Sequence, residues 1–364
     1  MKPSRLLLYA RAGFERECAQ EISAAATAMG VEGFVKARPD SGFALFQPHQ
    51  DEMGIELAQH LEFRRLVFPR QLVRTGELVA DLPEGDRVTP IVAAARALGR
   101  RFGALWLETP DTNDGKALAA LLRPLSAHLE RGLREAGVAF DDAGAPERLH
   151  VFFVGGRACY VGVSDVENAA PWPMGIPRLR LPRGAPSRST LKLAEAFLAF
   201  LGEEEREELL APGKTAIDLG AAPGGWTWQL VQRGMMVIAV DNGAMDPALL
   251  ETGQVKHRHE DGFHYAPAEP VDWMVCDMVE SPSRIARLAA KWVAQGWCRE
   301  TIFNLKLPMK KRWEEVERCR GLVDEILGGG GYYLRMKQLY HDREEVTAYL
   351  ARRTGRSPRP RKGQ

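Results

Sequence analysis

The stretch Asp218-Leu219-Gly220-Ala221-Ala222-Pro223-Gly224-Gly225-Trp226 decides how this chain is read. Ile217-Asp218-Leu219 closes a short apolar run, Gly220 to Gly225 form a turn of small residues, and Trp226 opens a helical pattern. Strand, glycine turn and helix make a nucleoside-binding corner. Without Cβ atoms the backbone can approach a ligand closely, and a helix start presents free N–H groups. The spacing is not Gly-x-Gly-x-x-Gly, which weakens a dinucleotide reading; a nicotinamide cofactor and a plain structural turn remain as alternatives.

Around this corner, strands and helices alternate. Ala216–Leu219, Met236–Val240, Val271–Cys276 and Thr301–Leu307 read as strands, and Thr227–Arg233, Arg284–Gln295 and Trp313–Leu327 as helices between them. That alternation predicts an α/β doubly wound parallel sheet. Tyr332–Leu339 and Val346–Ala351 are expected to finish it as a hairpin. Upstream, Pro171-Trp172-Pro173-Met174-Gly175-Ile176-Pro177 is too stiff for a helix interior and marks a domain boundary.

The first 165 or so residues read as α+β. Leu6–Ala10, Gly33–Ala37, Phe43–Gln47 and Leu66–Arg74 are expected strands, with helices over Glu15–Met29 and Asp51–His60. A second unit begins near Arg87, with helices at Ile91–Gly99 and Gly115–Ala136. Its strands are Ala104–Glu108, Leu149–Val154 and Ala158–Ser164, the last two joined by a tight turn at Gly155-Gly156-Arg157. The tail from Arg352 to Gln364, rich in Arg, Pro and Gly, reads as disordered.

Bulk properties exclude several classes. At 364 residues, 45% hydrophobic and 27% charged, the chain has the composition of a globular protein of two or three domains. A net charge of +1 means that nucleic-acid binding must come from local basic patches. No apolar run approaches the roughly 20 residues of a membrane span, and no signal-peptide core is present. Five scattered cysteines without a Cys-x-x-Cys pair argue for reduced thiols rather than disulfides or zinc. The expectation is a cytoplasmic protein with no membrane contact and no metal.

Three acids end successive strands. Asp241 lies about 20 residues beyond the glycine turn, where a ribose diol needs an acceptor in this class of fold; a solvated strand-end acid is the alternative. Asp261 follows the third strand and could accept from an adenine amino group. Asp277 ends the fourth strand, so Asp218, Asp241 and Asp277 should converge at the carboxyl edge of the sheet. Cys276, just before Asp277, reads as a buried small hydrophobe rather than a nucleophile.

Lys306, in Asn304-Leu305-Lys306-Leu307-Pro308, ends the fifth strand and should point into the same crevice. A lone lysine there would ordinarily snorkel to the surface. As a base for an alcohol it is poor at its reference pKa, being neutral in roughly one molecule in 2,500 at pH 7. Burial and a second ammonium are expected to lower its pKa. Lys192, near the start of a helix, could be that cation, and Glu345, before the final strand, could hold it; both also read as ordinary surface charges.

Lys192, Asp277, Lys306 and Glu345 in this order resemble the Lys-Asp-Lys-Glu tetrad of Rossmann-like RNA 2′-O-ribose methyltransferases. The loop Asp218–Trp226 is likewise similar to their S-adenosylmethionine (SAM) loop. Longer runs, including Pro171–Arg180, Val275–Glu280, Gly296–Lys311 and Leu339–Thr347, are similar to the RlmM-type family of bacterial 23S ribosomal RNA 2′-O-ribose methyltransferases, which act on a cytidine. The resemblance implies a mostly parallel seven-stranded sheet with an antiparallel last strand, over 189–352. It also implies a ferredoxin-like segment over 1–86, a THUMP-like RNA-binding domain over 87–166, a Pro/Arg-rich linker over 167–188 and a basic tail over 353–364.

The resemblance further implies that Ser189, Ala222, Pro223, Gly224, Gly225, Asp241, Asp261 and Asp277 line the SAM site. Lys306 would accept the proton, while Lys192 and Glu345 would position the ribose hydroxyl. The partner would be 23S rRNA, free or in an assembly intermediate, and the protein a monomer or weak dimer. Arg178, Arg180, Arg183 and Arg188, with Lys310, Lys311 and Arg312, would grip RNA, although a basic run is ordinarily a solvated face. Other readings stay open: methylation of another RNA, a capped RNA among them, or of a small-molecule hydroxyl, or a non-catalytic RNA-binding ribosome assembly factor.

Overall fold

A computed structural model describes residues 3–141 and 144–353. It divides into two compact units, one ending at Pro177 and one beginning at Arg178, within the stiff segment that the sequence marks as a boundary.

The first unit opens with β1 (Arg5–Tyr9), α1 (Glu15–Ala28), β2 (Gly33–Ala37), β3 (Phe43–Pro48), α2 (Asp51–His60) and β4 (Gln71–Thr75). It continues with α3 (Val88–Leu98), β5 (Arg101–Phe102), β6 (Leu105–Glu108), α4 (Asn113–Leu122) and α5 (Leu125–Glu135). Two-residue β7 (Ala139–Phe140) and the long hairpin of β8 (Glu147–Gly155) and β9 (Ala158–Asp165) complete it. Seven strands form one sheet in the order β2-β3-β1-β4-β9-β8-β6. The pairing of β4 with β9, Arg74 opposite Val163, carries this sheet across both expected N-terminal segments.

Two expectations need correcting here. Gly115–Ala136 is two helices rather than one, because Pro124 lacks an N–H and its ring clashes with the preceding turn. Leu66–Arg70 is not strand. Pro69 cannot donate to a ladder, and the N–H groups of Val67 and Phe68 go to the buried Glu21 carboxylate (2.6 and 2.9 Å). The polar centre of the sheet is closed on itself. Glu108 accepts from Tyr9 (2.6 Å) and pairs with His150 (2.8 Å), whose other ring nitrogen meets Ser164 (2.8 Å), all buried.

The second unit contains α6 (Thr190–Phe200), α7 (Glu203–Leu209), β10 (Thr215–Leu219), α8 (Gly225–Val231), β11 (Met236–Val240), α9 (Pro247–Glu251) and β12 (Val255–Arg258). Then follow β13 (Val271–Cys276), α10 (Pro282–Ala294), β14 (Cys298–Lys306), α11 (Arg312–Leu327), β15 (Tyr332–Lys337) and β16 (Glu345–Arg352). The sheet order is β12-β11-β10-β13-β14-β16-β15. Strands β10 to β14 run parallel and β16 is antiparallel to both neighbours, as the α/β, mostly parallel seven-stranded expectation has it.

Continuous apolar runs explain the parallel strands, which are covered on both faces. Leu193, Ala196, Phe197 and Phe200 of α6 join one core with Ala216, Trp226, Leu230, Val237, Trp273 and Ile302. Arg352, expected at the head of a disordered tail, instead closes β16; the rest of that expected tail from residue 354 lies outside the described residues. Among the described residues, no helix is long and apolar enough to cross a membrane.

Candidate active site

Sheet geometry assembles the site. Parallel β10, β11 and β13 end together, so Asp218 stands one residue from the tip of β10 while Asp241 and Asp277 directly follow β11 and β13. Strand side chains alternate faces, so Asn304 and Lys306 share one face of β14. In antiparallel register, Thr347 lies opposite Asn304 and Glu345 opposite Lys306. Glu345 is therefore the first residue of the last strand rather than its predecessor. Lys192 enters from the first turn of α6.

Four distant residues thus meet. The Lys192 ammonium donates to Glu345 (2.6 Å) and Asp277 (3.5 Å). The Lys306 ammonium donates to Glu345 (3.0 Å) and to Asp277 Oδ1. All four side chains are mostly buried, Lys306 being 21% exposed. Here the structure overturns the expected electrostatics. Burial pushes the Lys306 pKa down, but Asp277 and Glu345 more than offset it, so Lys306 ends above its ordinary 10.5. Lys192 and Lys306 are held between the same two carboxylates, whose attraction decides the direction at Lys306.

A residue without an assigned role occupies the middle. Asn304 is fully buried, and its amide nitrogen donates to both Asp277 Oδ1 (2.8 Å) and Glu345 Oε2 (3.0 Å). The sequence shows only a polar residue two positions before Lys306 on an apolar strand; its partners come from the end of β13 and from β16. Glu195, one turn after Lys192, was also missed. It accepts from the backbone N–H groups of Tyr340 and His341 (2.8 and 2.9 Å) and so ties down the loop that leads to Glu345.

The glycine turn is tightly packed against the protein. A Cβ on Gly225 would fall 2.1 Å from Ser189 Oγ, one on Gly224 2.2 Å from Leu249, and one on Gly220 2.5 Å from Met278. Gly220 and Gly224 also have φ of +76° and +118°. These glycines are required for protein to pack on protein. Thr190, beside Ser189, donates to the Gly225 carbonyl (2.9 Å), which locks the start of α6 to the turn. Ala222 donates its N–H to Asp241 Oδ2 (3.0 Å), Gly243 donates to Asp241 Oδ1 (2.7 Å), and Ala222-Pro223 is cis.

Asp218 provides a test of what could bind. Thr227 donates to its Oδ2 (2.7 Å), but its buried Oδ1 has no hydrogen-bond partner. Burial, aided by the like charges of Asp277 and Asp241, pushes its pKa up to about 7. A buried carboxylate that the protein leaves uncompensated suits a cationic ligand. The donor set therefore fits a group carrying both positive charge and a ribose diol. Asp261 is about half exposed, accepting from Phe263 N–H (2.8 Å) and His264 (2.9 Å).

Burial pushes the Cys276 thiol up to about 12, in line with an inert, buried side chain. Arg178, Arg180, Arg183, Arg188, Lys310 and Lys311 are exposed, whereas Arg312 is largely buried and donates to Glu344 (2.6 Å). On the loops beyond Asp277 and Lys306, Val279 and Met309 are 90% and 91% exposed, a pair of bare apolar side chains that the sequence did not single out. Among the described residues, no group of three or more His, Cys, Asp or Glu is placed to hold a metal ion.

Known proteins resemble the chain along its length. Residues 3–73 match the RlmM ferredoxin-like domain, 86–165 the N-terminal domain of ribosomal RNA large subunit methyltransferase M, and 185–296 the FtsJ-like methyltransferase domain. The ribosomal RNA large subunit methyltransferase M of Methylococcus capsulatus is 53% identical over 96% of this chain and 98% of its own. That of Serratia proteamaculans is 50% identical over 96% of each chain. The crystal structure of TrmN from Thermus thermophilus covers 96% of this chain and 99% of its own at 14% identity, with a TM-score of 0.35. The chain belongs to the ribosomal RNA large subunit methyltransferase M family.

Proposed function

We propose that this family member methylates the ribose 2′-hydroxyl of a cytidine in 23S rRNA, using SAM as donor and Lys306 as general base. The observation that carries the reading is the meeting of Lys192 and Lys306 over the shared carboxylates of Asp277 and Glu345. When bound, SAM supplies an electrophilic methyl on a sulfonium centre and departs as the neutral thioether.

The chain's residues have three tasks. Asp218 and Asp241, with Ser189, Ala222, Pro223, Gly224, Gly225, Asp261 and Asp277, form the donor site. Asp218 answers positive charge, and the spare lone pairs of Asp241 accept from a ribose diol. Lys192 and Glu345 hold the nucleophilic hydroxyl by donating to and accepting from it. Lys306 first releases its proton to solvent, then takes the hydroxyl proton as the new O–C bond forms, and finishes as an ammonium. Fixed alignment of the hydroxyl supplies several kcal/mol of the barrier reduction.

Exposed Arg178, Arg180, Arg183 and Arg188, with Lys310 and Lys311, would contact phosphates, which position RNA without reading its sequence. Residues 87–166 would act as a THUMP-like RNA-binding domain. The test is methyl transfer from labelled SAM to purified 23S rRNA, a capped oligonucleotide and simple alcohols. Incorporation into 23S rRNA alone, resistant to alkaline hydrolysis at one position, is expected. Preference for either other acceptor would reject the substrate assignment.

A further inference from the structure

The geometry assigns Asn304 as the positioning residue of the tetrad, its orientation fixed by a one-way hydrogen-bond chain running from Asp342 through Thr347. This rests on Lys306 being the base. An amide nitrogen has two hydrogens, and both are used here, one on Asp277 Oδ1 at 2.8 Å and one on Glu345 Oε2 at 3.0 Å. Asn304 Oδ1 must then accept, and Thr347 Oγ1 lies 2.7 Å away. A hydroxyl has a single proton. If Thr347 gives it to Asn304, whichever Asp342 oxygen bonds Thr347, Oδ2 at 2.9 Å or Oδ1 at 3.2 Å, must be the donor.

Asp342 therefore has to carry a proton, and its surroundings agree. It is 1% exposed, and among the described residues the Leu339 N–H (3.1 Å) is the one donor left to it once Thr347 gives its proton to Asn304. Burial and the charges of Glu345 and Glu195 hold its carboxyl well above the usual range, with Lys192 opposing them. Were Asp342 ionised, Thr347 would donate to it, leaving Asn304 Oδ1 facing an oxygen lone pair in a buried site. The amide could then turn over and present its carbonyl to two carboxylates. The chain from Asp342 to Thr347 to Asn304 forbids that.

What Asn304 does for the reaction follows from charge. Its two N–H groups share the load of Asp277 and Glu345 with the lysines. Without them, both carboxylates lean harder on Lys306, which then holds its proton more tightly. The loss should fall on kcat and on the pH profile, and not on binding.

The experiment compares Asn304→Ala, Thr347→Val, Thr347→Ser, Asp342→Leu and Asp342→Asn in the full-length protein, with Lys306→Ala alongside. Asn304→Ala should lower kcat about 100-fold with KM for RNA and SAM little changed, and displace the rising limb of the pH–rate curve to higher pH. Thr347→Val and Asp342→Leu should do the same. Thr347→Ser should rescue the first, and Asp342→Asn, a neutral donor of the same shape, the second. Unchanged kcat and pH profile in Asn304→Ala would overturn the proposal; so would Asp342→Asn failing as badly as Asp342→Leu. If Asn304→Ala melts before assay, the Thr347→Val and Thr347→Ser pair decides by the same readouts. Full transfer by Lys306→Ala would instead reject the base itself, whatever Asn304 shows.

Discussion

Raising the pH from 7 to 9 should speed methyl transfer about 100-fold. Lys306 lies above its ordinary 10.5, because Asp277 and Glu345 more than offset the effect of burial. A base with a pKa beyond the working range is neutral in fewer than about one molecule in 2,500 at pH 7, and that fraction grows tenfold per pH unit. The rate of the chemical step should grow with it. Lys306→Arg keeps the charge and loses the base, since arginine stays protonated throughout. It should therefore cost about 10²- to 10⁴-fold and flatten the profile. The assay is single-turnover transfer of labelled methyl with RNA and SAM both saturating, so that binding drops out. A rate independent of pH between 6.5 and 8.5, or a Lys306→Arg profile parallel to wild type, would refute the reasoning.

Three further outcomes follow from the geometry. Asp218, raised from 3.8 to about 7 chiefly by burial, favours its protonated form in the folded state. Stability is thus undiminished below about pH 4 and lost as pH rises towards 7, on the order of 4 kcal/mol in full. Asp218→Asn should raise the melting temperature at pH 8 but not at pH 4, while weakening SAM binding by calorimetry; a lower melting temperature at pH 8 would count against the uncompensated charge. Gly225→Ala places a Cβ 2.1 Å from Ser189 Oγ and 3.1 Å from the Thr190 nitrogen, so it should cost about 1–3 kcal/mol in urea unfolding and reduce SAM affinity. Val279 and Met309, bare apolar side chains on the loops beyond Asp277 and Lys306, are expected to touch RNA, so replacing both with serine should raise KM for RNA and leave KM for SAM unaltered; an unaffected RNA KM would show that they make no such contact.

The order of strands and helices in the second unit was legible because apolar runs of strand length alternate with helical patterns, and the glycine turn fixed where the sheet begins. Lys192, Asp277, Lys306 and Glu345 were legible as a set through their resemblance to the Lys-Asp-Lys-Glu tetrad; from the residues alone, Lys192 and Glu345 read equally as surface charges. Three things were not. The direction of the Lys306 shift depends on which groups lie within 3 Å, and Glu345 is 39 residues away along the chain. Asn304 reads as one polar residue in an apolar strand until β16 brings Thr347 opposite it. The crowding at the glycines leaves no trace in one dimension, because Leu249, Met278 and Ser189 occupy the space their side chains would need. In the first unit, the β4–β9 pairing depends on tertiary register and leaves no local trace, whereas the Pro124 break was readable from the residue itself.

The most direct measurement maps 2′-O-methyl groups by mass spectrometry on 23S rRNA from a strain lacking this gene, after incubation with SAM and either wild-type or Lys306→Ala protein. One cytidine should gain a methyl with the wild type and none with the variant. No new 2′-O-methyl with the wild type, or equal methylation by both proteins, would contradict the account.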